Sequence, residues 1–242
     1  MSELLTNCWH IYTSPSILFS LLLTAKICLY ALLMQLFVGI PLAWYLSGPQ
    51  TTLRGLIENL VTFPLIFPPI ATGYLLLVVF GRMGFIGNFL GEYLAVEIVF
   101  SFSGIVIAAF VAGLPLVVKP IQAAIRTFGN ELVEASYTLG QGLWTTFLRV
   151  TLPSIRKSIL SGLVLGMGRS LGEVGITLMI GGNIIGKTNT LSLEVFNAVY
   201  DGDFDRATAL CLLLFGFSIL LFGVIRKLDK RQISSFEQKT GN

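Results

Sequence analysis

The sequence predicts an all-α integral membrane protein whose core is a bundle of five transmembrane helices. Its mean hydropathy is +0.81, and only 12% of its 242 residues are charged, whereas soluble domains carry roughly 25%. Five apolar segments are each long enough to cross a hydrocarbon core of about 30 Å, which takes about 20 helical residues. These segments lie at 16–47, 58–80, 98–118, 158–180 and 207–225.

The first two segments have features that set their expected geometry. Segment 16–47 is longer than the core is thick, so it should tilt or extend past one face. We expect its Lys26 to snorkel or to face a neighbouring helix. Segment 58–80 contains three prolines, Pro64, Pro68 and Pro69. Because proline removes a backbone donor, this helix should kink or break, and it belongs inside the bundle.

The distribution of Lys and Arg predicts the orientation. With the N-terminus outside, eleven of these residues face the cytoplasm and three lie outside, which is a clear positive-inside bias. The eleven are Arg54, Lys119, Arg126, Arg149, Arg156, Lys157, Arg226, Lys227, Lys230, Arg231 and Lys239; the three are Arg82, Lys187 and Arg206. This orientation gives an outer segment 1–15, a transmembrane domain 16–228 with a cytoplasmic loop 119–157, and a cytoplasmic tail 229–242.

The cytoplasmic loop contains a polar stretch, ELVEASYTLGQGLWTTFLRVTLP, at residues 131–153. Asn130 can cap a helix, Glu131 suits its positive end, and Gly140 can end it in a left-handed conformation. Trp144 and the apolar residues after it predict a second, amphipathic helix that runs toward Pro153. The residues alone leave two interpretations open, a simple connector or a surface for another protein.

The same stretch resembles a known motif. Glu134, Ala135, Ser136, Gly140 and the segment 150–153 (VTLP) match the EAA motif, EAA-x3-G-x9-I-x-LP, of the permease subunits of bacterial ABC importers, and only Ser136 and Val150 depart from it. In that family this short coupling helix docks on a cytoplasmic ATPase and transmits its motion. The resemblance implies a type I permease fold and a set of ATPase-coupling residues, Glu131, Glu134, Ala135, Ser136, Leu139, Gly140 and Pro153.

Further segments resemble the molybdate, tungstate and sulfate group of these permeases. They are 63–87, 169–184 and 188–207. The resemblance implies import of molybdate into the cytoplasm, with tungstate and then sulfate as alternatives. It also implies a bacterial inner-membrane location and three kinds of protein partner: a second copy of the chain, two ATP-binding subunits and an extracytoplasmic oxyanion-binding protein. ATP and Mg would be used by the ATPase partner, and this chain would bind no cofactor.

The fourth segment contains the candidate residues of a translocation pathway. Arg169 and Glu173 are four residues apart, so they can form an ion pair. The functional alternatives are that Arg169 meets a dianion crossing the centre of the dimer, or that Glu173 helps to set the gate. Further hydrogen-bonding candidates are Ser170, Thr177 and Asn183. Two small-xxx-small pairs, Gly162 with Gly166 and Gly168 with Gly172, predict close helix packing.

Other functional classes find less support in the sequence. Residues 181–188 (GGNIIGKT) match the P-loop pattern, which suggests the hypothesis of a membrane-anchored ATPase. A P-loop follows a β-strand, however, and these residues follow a predicted membrane helix. The outer stretch 201–206 (DGDFDR) begins like a calcium loop, yet its glycine is misplaced, and we expect no metal site. A channel or secondary transporter remains open without a visible internal repeat. The single histidine, His10, offers no general base for a nucleophile, so we expect no catalytic site.

Overall fold

A computed structural model describes residues 14–94 and 96–240, and at 128–132 and 224–240 it describes the helix only. The described part of the chain is helical and contains no strand, which confirms the predicted all-α class. In chain order the helices are α1 (Pro15–Ser47), α2 (Thr52–Ile66), α3 (Pro69–Phe80), α4 (Phe85–Leu94), α5 (Phe102–Thr138), α6 (143–154), α7 (Arg156–Leu171), α8 (Gly175–Gly181), α9 (Leu191–Tyr200) and α10 (Phe204–Thr240).

The number of candidate membrane spans reaches the predicted five only when each bent pair of helices is counted as one span. Among the described residues, Pro15–Ser47, Phe102–Thr127 and Phe204–Gly223 are continuous, apolar and long enough to cross a bilayer. Two further candidates are pairs bent at a short break, α3 with α4 at 44° and α7 with α8 at 59°. Three to five spans therefore result, and the second and fourth are not straight helices.

The second predicted segment breaks, as its prolines led us to expect. α2 ends at Ile66, the extended residues Phe67 and Pro68 follow, and Pro69 begins α3. The predicted bounds 58–80 are wrong, because they join two helices that this break separates. Proline at the first position of a helix loses no hydrogen bond, which is why α3 starts there.

α5 is the central helix of the fold and packs against α1, α2, α7 and α8. The contact with α7 depends on glycine, since a Cβ added at Gly166 would clash with Val117 Cγ2 and one at Gly162 would lie 3.0 Å from the Val117 carbonyl oxygen. This confirms the first small-residue pair. The second pair is wrong in part, because Gly172 ends α7 and meets no other helix there.

The predicted separate coupling helix, starting at Asn130, is also wrong. α5 runs without interruption from Phe102 to Thr138, through the membrane segment and past it. The residues from 121 to 138 include many good helix formers and no proline, so the helix that begins at Phe102 continues through Asn130. Asn130 is therefore an interior residue of α5 and not the cap of a new helix. The EAA-like residues therefore occupy the last turns of a long helix.

Candidate functional site

The end of α5 and the start of α6 form a sharp elbow. Leu139 ends the helix, and Gly140 follows in the left-handed conformation with φ of 76°. Glycine reaches that region at little cost, so the predicted helix stop at this position is confirmed. A hydrogen bond of 2.9 Å between the Ser136 and Thr146 hydroxyls joins the two arms. Both side chains are buried, so this bond fixes the elbow from the inside.

The outer surface of the elbow presents the EAA-like residues to the surroundings. Glu134, Ala135 and Leu139 are exposed, and the side chain of Leu139 keeps 78% of its surface. The exposed surface continues onto α6 through Leu143 and Trp144. Pro153 is exposed at the far end of α6, and the side chain of Glu131 lies outside those that the structure describes. Glu134, Ala135, Leu139 and Gly140 thus share the exposed side of the elbow, whereas Ser136 is internal.

An aromatic contact ties this elbow to the first helix. The ring centroid of Trp44 in α1 lies 4.6 Å from that of Phe147 and 5.6 Å from that of Trp144, both in α6. Phe147 is buried in the core formed with Val117 and Ile121 of α5. The sequence analysis did not identify Trp44; a tryptophan at the C-terminal end of the first apolar segment was the available signal.

The Arg169–Glu173 pair lies at the bend between α7 and α8. Arg169 Nη1 contacts Glu173 Oε2, as in the ion-pair interpretation of the sequence. The other Glu173 oxygen accepts a hydrogen bond of 2.7 Å from the Ile176 N–H, in the first turn of α8. Glu173 therefore holds both ends of the break. The expectation of one continuous fourth helix is wrong, because α7 ends at Leu171 and α8 begins at Gly175.

The two broken helices meet at their breaks. A Cβ added at Gly175 would lie 2.9 Å from Pro69 Cβ, and one at Gly73 would lie 2.9 Å from the Ile176 Cα atom. Both contacts join α3 to α8, so these half-helices are packed backbone to backbone. The consequence is a paired discontinuity within the bundle, with each chain break beside the other.

The remaining pathway candidates are separated from one another. Ser170 is buried; its hydroxyl lies 2.6 Å from the Ala109 carbonyl oxygen and accepts a 3.0 Å hydrogen bond from Gln35 Nε2. Thr177 is buried in α8. Asn183 lies in the turn after α8, where its amide bonds to that of Asn197 at 2.7 Å.

Gln35 is a buried polar residue that the sequence analysis missed. It begins a π-helical segment of α1, Gln35–Gly39, and its Oε1 atom is buried without a hydrogen-bond partner. A glutamine inside an apolar run was the signal, because a polar side chain at bilayer depth should face protein. Such π segments recur at functional sites.

A second cluster that the sequence analysis missed joins four chain segments. Glu194 in α9 is buried, and its carboxylate accepts hydrogen bonds from Asn189 at 3.0 Å and from Arg206 of α10 at 2.9 Å. The Ser20 hydroxyl of α1 lies 3.5 Å from the same carboxylate. An isolated glutamate between apolar residues was the available signal.

The P-loop-like stretch is a glycine-rich turn. It follows α8 rather than a strand, and the Thr188 hydroxyl is engaged within it, donating to the Gly181 carbonyl at 2.7 Å and accepting from the Ile184 N–H at 2.9 Å. In the acidic turn at 201–203, Asp203 accepts a hydrogen bond from the Arg206 N–H at the start of α10. No group of three potential metal-ligating residues occurs within the described ranges.

Comparison with known proteins gives three related findings. The family described as "Binding-protein-dependent transport system inner membrane component" matches residues 35–234. The chain is 35% identical over 210 residues to the molybdenum transport system permease protein ModB of Haemophilus influenzae, covering 86% of this chain and 92% of that protein. It is 30% identical over 223 residues to the sulfate transport system permease protein CysT of Escherichia coli K12, covering 92% and 80%.

A solved structure shares the fold. It is the bacterial alginate ABC transporter in complex with an alginate pentasaccharide-bound periplasmic protein, matched with a TM-score of 0.74 and 18% identity over 92% of this chain and 81% of that one. Identity at this level supports the fold alone.

Proposed function

The chain belongs to the family of binding-protein-dependent transport system inner membrane components, and from that premise we propose that it is the permease subunit of an ABC importer that carries molybdate into the cytoplasm. The observation that carries this proposal is 35% identity to a molybdenum transport permease along 92% of that protein's length. In this role the chain is a transport subunit, and the chemistry of ATP hydrolysis with Mg belongs to a separate ATPase.

The proposed assembly contains two copies of this chain, two ATPase subunits and an extracytoplasmic oxyanion-binding protein. Support for the second copy comes from the apolar side chains that α2 to α4 leave exposed, among them Ile66, Met83 and Phe85. On the predicted outer side lies a cavity of about 900 Å³ whose mostly apolar lining also includes the charged residues Arg82, Glu92 and Lys187. This surface is suited to a soluble partner, and the related alginate transporter is described in complex with a periplasmic protein.

The elbow is the proposed point of contact with the ATPase. Its EAA-like residues project from the bundle, its Ser136–Thr146 bond keeps its two arms together, and Trp44 connects it to α1. A push on such a braced elbow is transmitted to α1 and α5 rather than absorbed by a flexible loop. At the other end of α7, the bend beside Arg169 and Glu173 gives the bundle a place to open and close.

The substrate is tested with the assembled transporter in liposomes that contain ATP. Uptake is measured with radiolabelled molybdate, tungstate and sulfate, each delivered by its purified binding protein. We expect binding-protein-dependent uptake of molybdate that stops when ATP is replaced by a non-hydrolysable analogue. A transporter that accepts only sulfate would contradict the proposed substrate.

Sulfate is the second candidate because the chain is also 30% identical to a sulfate transport permease. Both oxyanions are tetrahedral dianions, and the binding protein makes much of the choice between them. Swapping the two binding proteins on the same permease separates the contributions, since a permease that discriminates by itself will keep its preference.

The ATPase contact is tested by cysteine crosslinking in a variant that lacks the native cysteines Cys8, Cys28 and Cys211. Glu134→Cys and Leu139→Cys should each crosslink to the ATPase subunit, because both positions are exposed on the elbow. Met83→Cys is the matched control, since Met83 is fully exposed but lies in the turn before α4. If neither elbow cysteine reaches the ATPase, the importer assignment fails.

A further inference from the structure

A second ion pair lies between α2 and α5, and its carboxylate is less buried than that of the pair at the bend. Lys119 Nζ of α5 donates a hydrogen bond of 2.7 Å to Glu58 Oε1 of α2, and Arg126 Nη2 lies 3.8 Å from Glu58 Oε2. The pair borders a cleft of about 410 Å³ between the two helices, which Asn59 and Thr62 also line. The cleft ends at Phe63 and Phe67, whose rings stack 4.5 Å apart.

The position of this cleft along the membrane normal can be derived from residue spacing on α5. Ser170, next to Arg169, contacts the Ala109 carbonyl of α5. Lys119 is ten residues further along the same helix, and ten helical residues span about 15 Å. Because α5 runs from the outer to the inner side in the predicted orientation, the cleft lies on the cytoplasmic side of the bend. Phe67 at its outer end belongs to the α2–α3 break that faces Gly175.

The two ion pairs share one asymmetry. In the outer pair the side chain of Arg169 is 30% exposed and that of Glu173 only 1%. In the inner pair the side chain of Lys119 is 38% exposed and that of Glu58 is 21%. In both pairs the cation is the more accessible partner, and the carboxylate stands behind it.

We propose that the Lys119 cleft is a binding station for the transported tetrahedral oxyanion on its way from the bend to the cytoplasm. The inference rests on the proposed function, because it assumes that an oxyanion passes between the paired breaks. Lys119 supplies the charge, and the Asn59 amide supplies neutral N–H donors along the same wall of the cleft. The Thr62 hydroxyl already donates to the Glu58 carbonyl oxygen at 2.7 Å, so it lines the cleft without adding a donor.

The carboxylate makes this station weak, which a transport pathway requires. An isolated ammonium in a partly enclosed cleft would hold a dianion too firmly for rapid release. Glu58 competes for Lys119 from behind, so the oxyanion replaces one partner of the lysine and is in turn replaced by Glu58 when it leaves. Arg126, which also donates to the Leu46 carbonyl oxygen at 3.0 Å, adds to the positive potential around Glu58.

The test places a reporter cysteine in the cleft. Asn59→Cys is made in the cysteine-free chain, and the complete transporter in nanodiscs is treated with an anionic and a cationic methanethiosulfonate reagent of similar size. The ratio of the anionic to the cationic modification rate reports the electrostatic potential at residue 59. One unit of charge about 6 Å away in water changes this ratio about tenfold, so Lys119→Gln should lower the ratio about tenfold and Glu58→Gln should raise it.

Matched variants separate the charge from the fold. Lys119→Arg keeps the charge and should keep the ratio. If the single variant Lys119→Gln fails to assemble, the Lys119→Gln/Glu58→Gln double variant is compared with Glu58→Gln, since these two differ only in the charge at residue 119. Millimolar molybdate should slow modification of the reporter cysteine when Lys119 and Glu58 are both present. A ratio that does not change with Lys119, or a reporter cysteine that reacts with neither reagent, would overturn the proposal.

The outcome is distinguishable from a failure of the proposed function. The rate ratio depends on the charge in the cleft and not on which oxyanion is carried. If the transporter takes up no molybdate, while the ratio still follows the charges of Lys119 and Glu58 and molybdate still slows modification of the reporter cysteine, the substrate assignment fails while the anion cleft stands. If molybdate is taken up and the ratio is insensitive to both residues, the cleft fails alone.

Discussion

The indole ring of Trp44 packs on the ring of Phe147, with centroids 4.6 Å apart and an interplanar angle of 34°. Trp44 lies near the C-terminal end of α1, and Phe147 lies in the π-helical segment of α6 directly after the elbow. The contact is the aromatic link between the first helix and the segment that we propose meets the ATPase. It gives a motion of the elbow a second route into the bundle, besides α5.

Replacement of Trp44 should weaken coupling. Trp44→Ala removes a half-buried ring and its aromatic contact, so we expect a loss of about 1–2 kcal/mol in stability and a higher number of ATP molecules hydrolysed per oxyanion transported. Thermal unfolding and parallel measurements of uptake and ATP hydrolysis check both effects. Trp44→Phe keeps a ring at the same position and should restore most of the coupling. If Trp44→Ala hydrolyses the normal number of ATP molecules per oxyanion transported, the contact plays no part in coupling.

Gly140 should be sensitive to substitution and Gly142 tolerant. Gly140 has φ of 76°, where a proline is impossible and other side chains are strained, while Gly142 has φ of −75° and open space at its Cβ position. Gly140→Pro should leave the permease in the membrane but abolish stimulation of the ATPase by the loaded binding protein. Gly142→Ala should retain stimulation within about twofold, because Gly142 is the N-cap of α6 and alanine there costs at most about 1 kcal/mol. Equal behaviour of the two variants would remove the elbow conformation as the cause.

Glu134→Lys tests the exposed surface of the same elbow. The Glu134 side chain is exposed, so the substitution should not disturb folding. The reversed charge should instead weaken docking of the ATPase and reduce uptake. Co-purification of the ATPase subunit measures the docking directly. Full uptake by this variant and by Gly140→Pro together would contradict the role assigned to the elbow.

The sequence predicted the class of the fold because hydropathy alone reports which segments can lie in lipid. It predicted the α2–α3 break because Pro68 and Pro69 act locally. It did not predict the break after Leu171, where no proline occurs; Glu173 stabilises that break through contacts with Arg169 and the Ile176 N–H, which depend on the folded geometry. The predicted helix start at Asn130 was wrong because a residue suited to an N-cap does not begin a new helix when the preceding turn is already helical.

The candidate site divides along the same line. The EAA-like residues from Glu134 to Gly140 form one local motif, so their spacing sufficed to place them together. Contacts between distant segments, such as Gln35 with Ser170 and Glu58 with Lys119, join residues 135 and 61 positions apart. A single sequence indicates that each polar residue faces protein, but it does not state which partner it meets.

The Arg169–Glu173 pair should contribute to stability and transport in separable ways. Arg169→Gln leaves the buried Glu173 carboxylate without its cation, which should cost about 3 kcal/mol and lower the unfolding temperature. Arg169→Gln with Glu173→Gln removes both charges and should recover most of the stability. If Arg169 contacts the oxyanion, the double variant will still transport poorly; normal uptake by the double variant would leave the pair a purely structural role.

The close approach of α3 to α8 should make Gly73 far more sensitive than Gly55. A Cβ at Gly73 would lie 2.8 Å from Met179 Cβ and 2.9 Å from Ile176 Cα, whereas a Cβ at Gly55 in α2 meets nothing within 4 Å. Gly73→Ala must push the two half-helices apart at their breaks, and we expect a loss of about 1–3 kcal/mol together with slower transport. Gly55→Ala should be neutral or slightly stabilising, since alanine restricts the unfolded chain and favours helix. Thermal unfolding and initial uptake rates of the two variants, measured side by side, distinguish a packed contact from a loose one. Indistinguishable values would mean that α3 and α8 can separate freely, and that the paired breaks do not move as one unit.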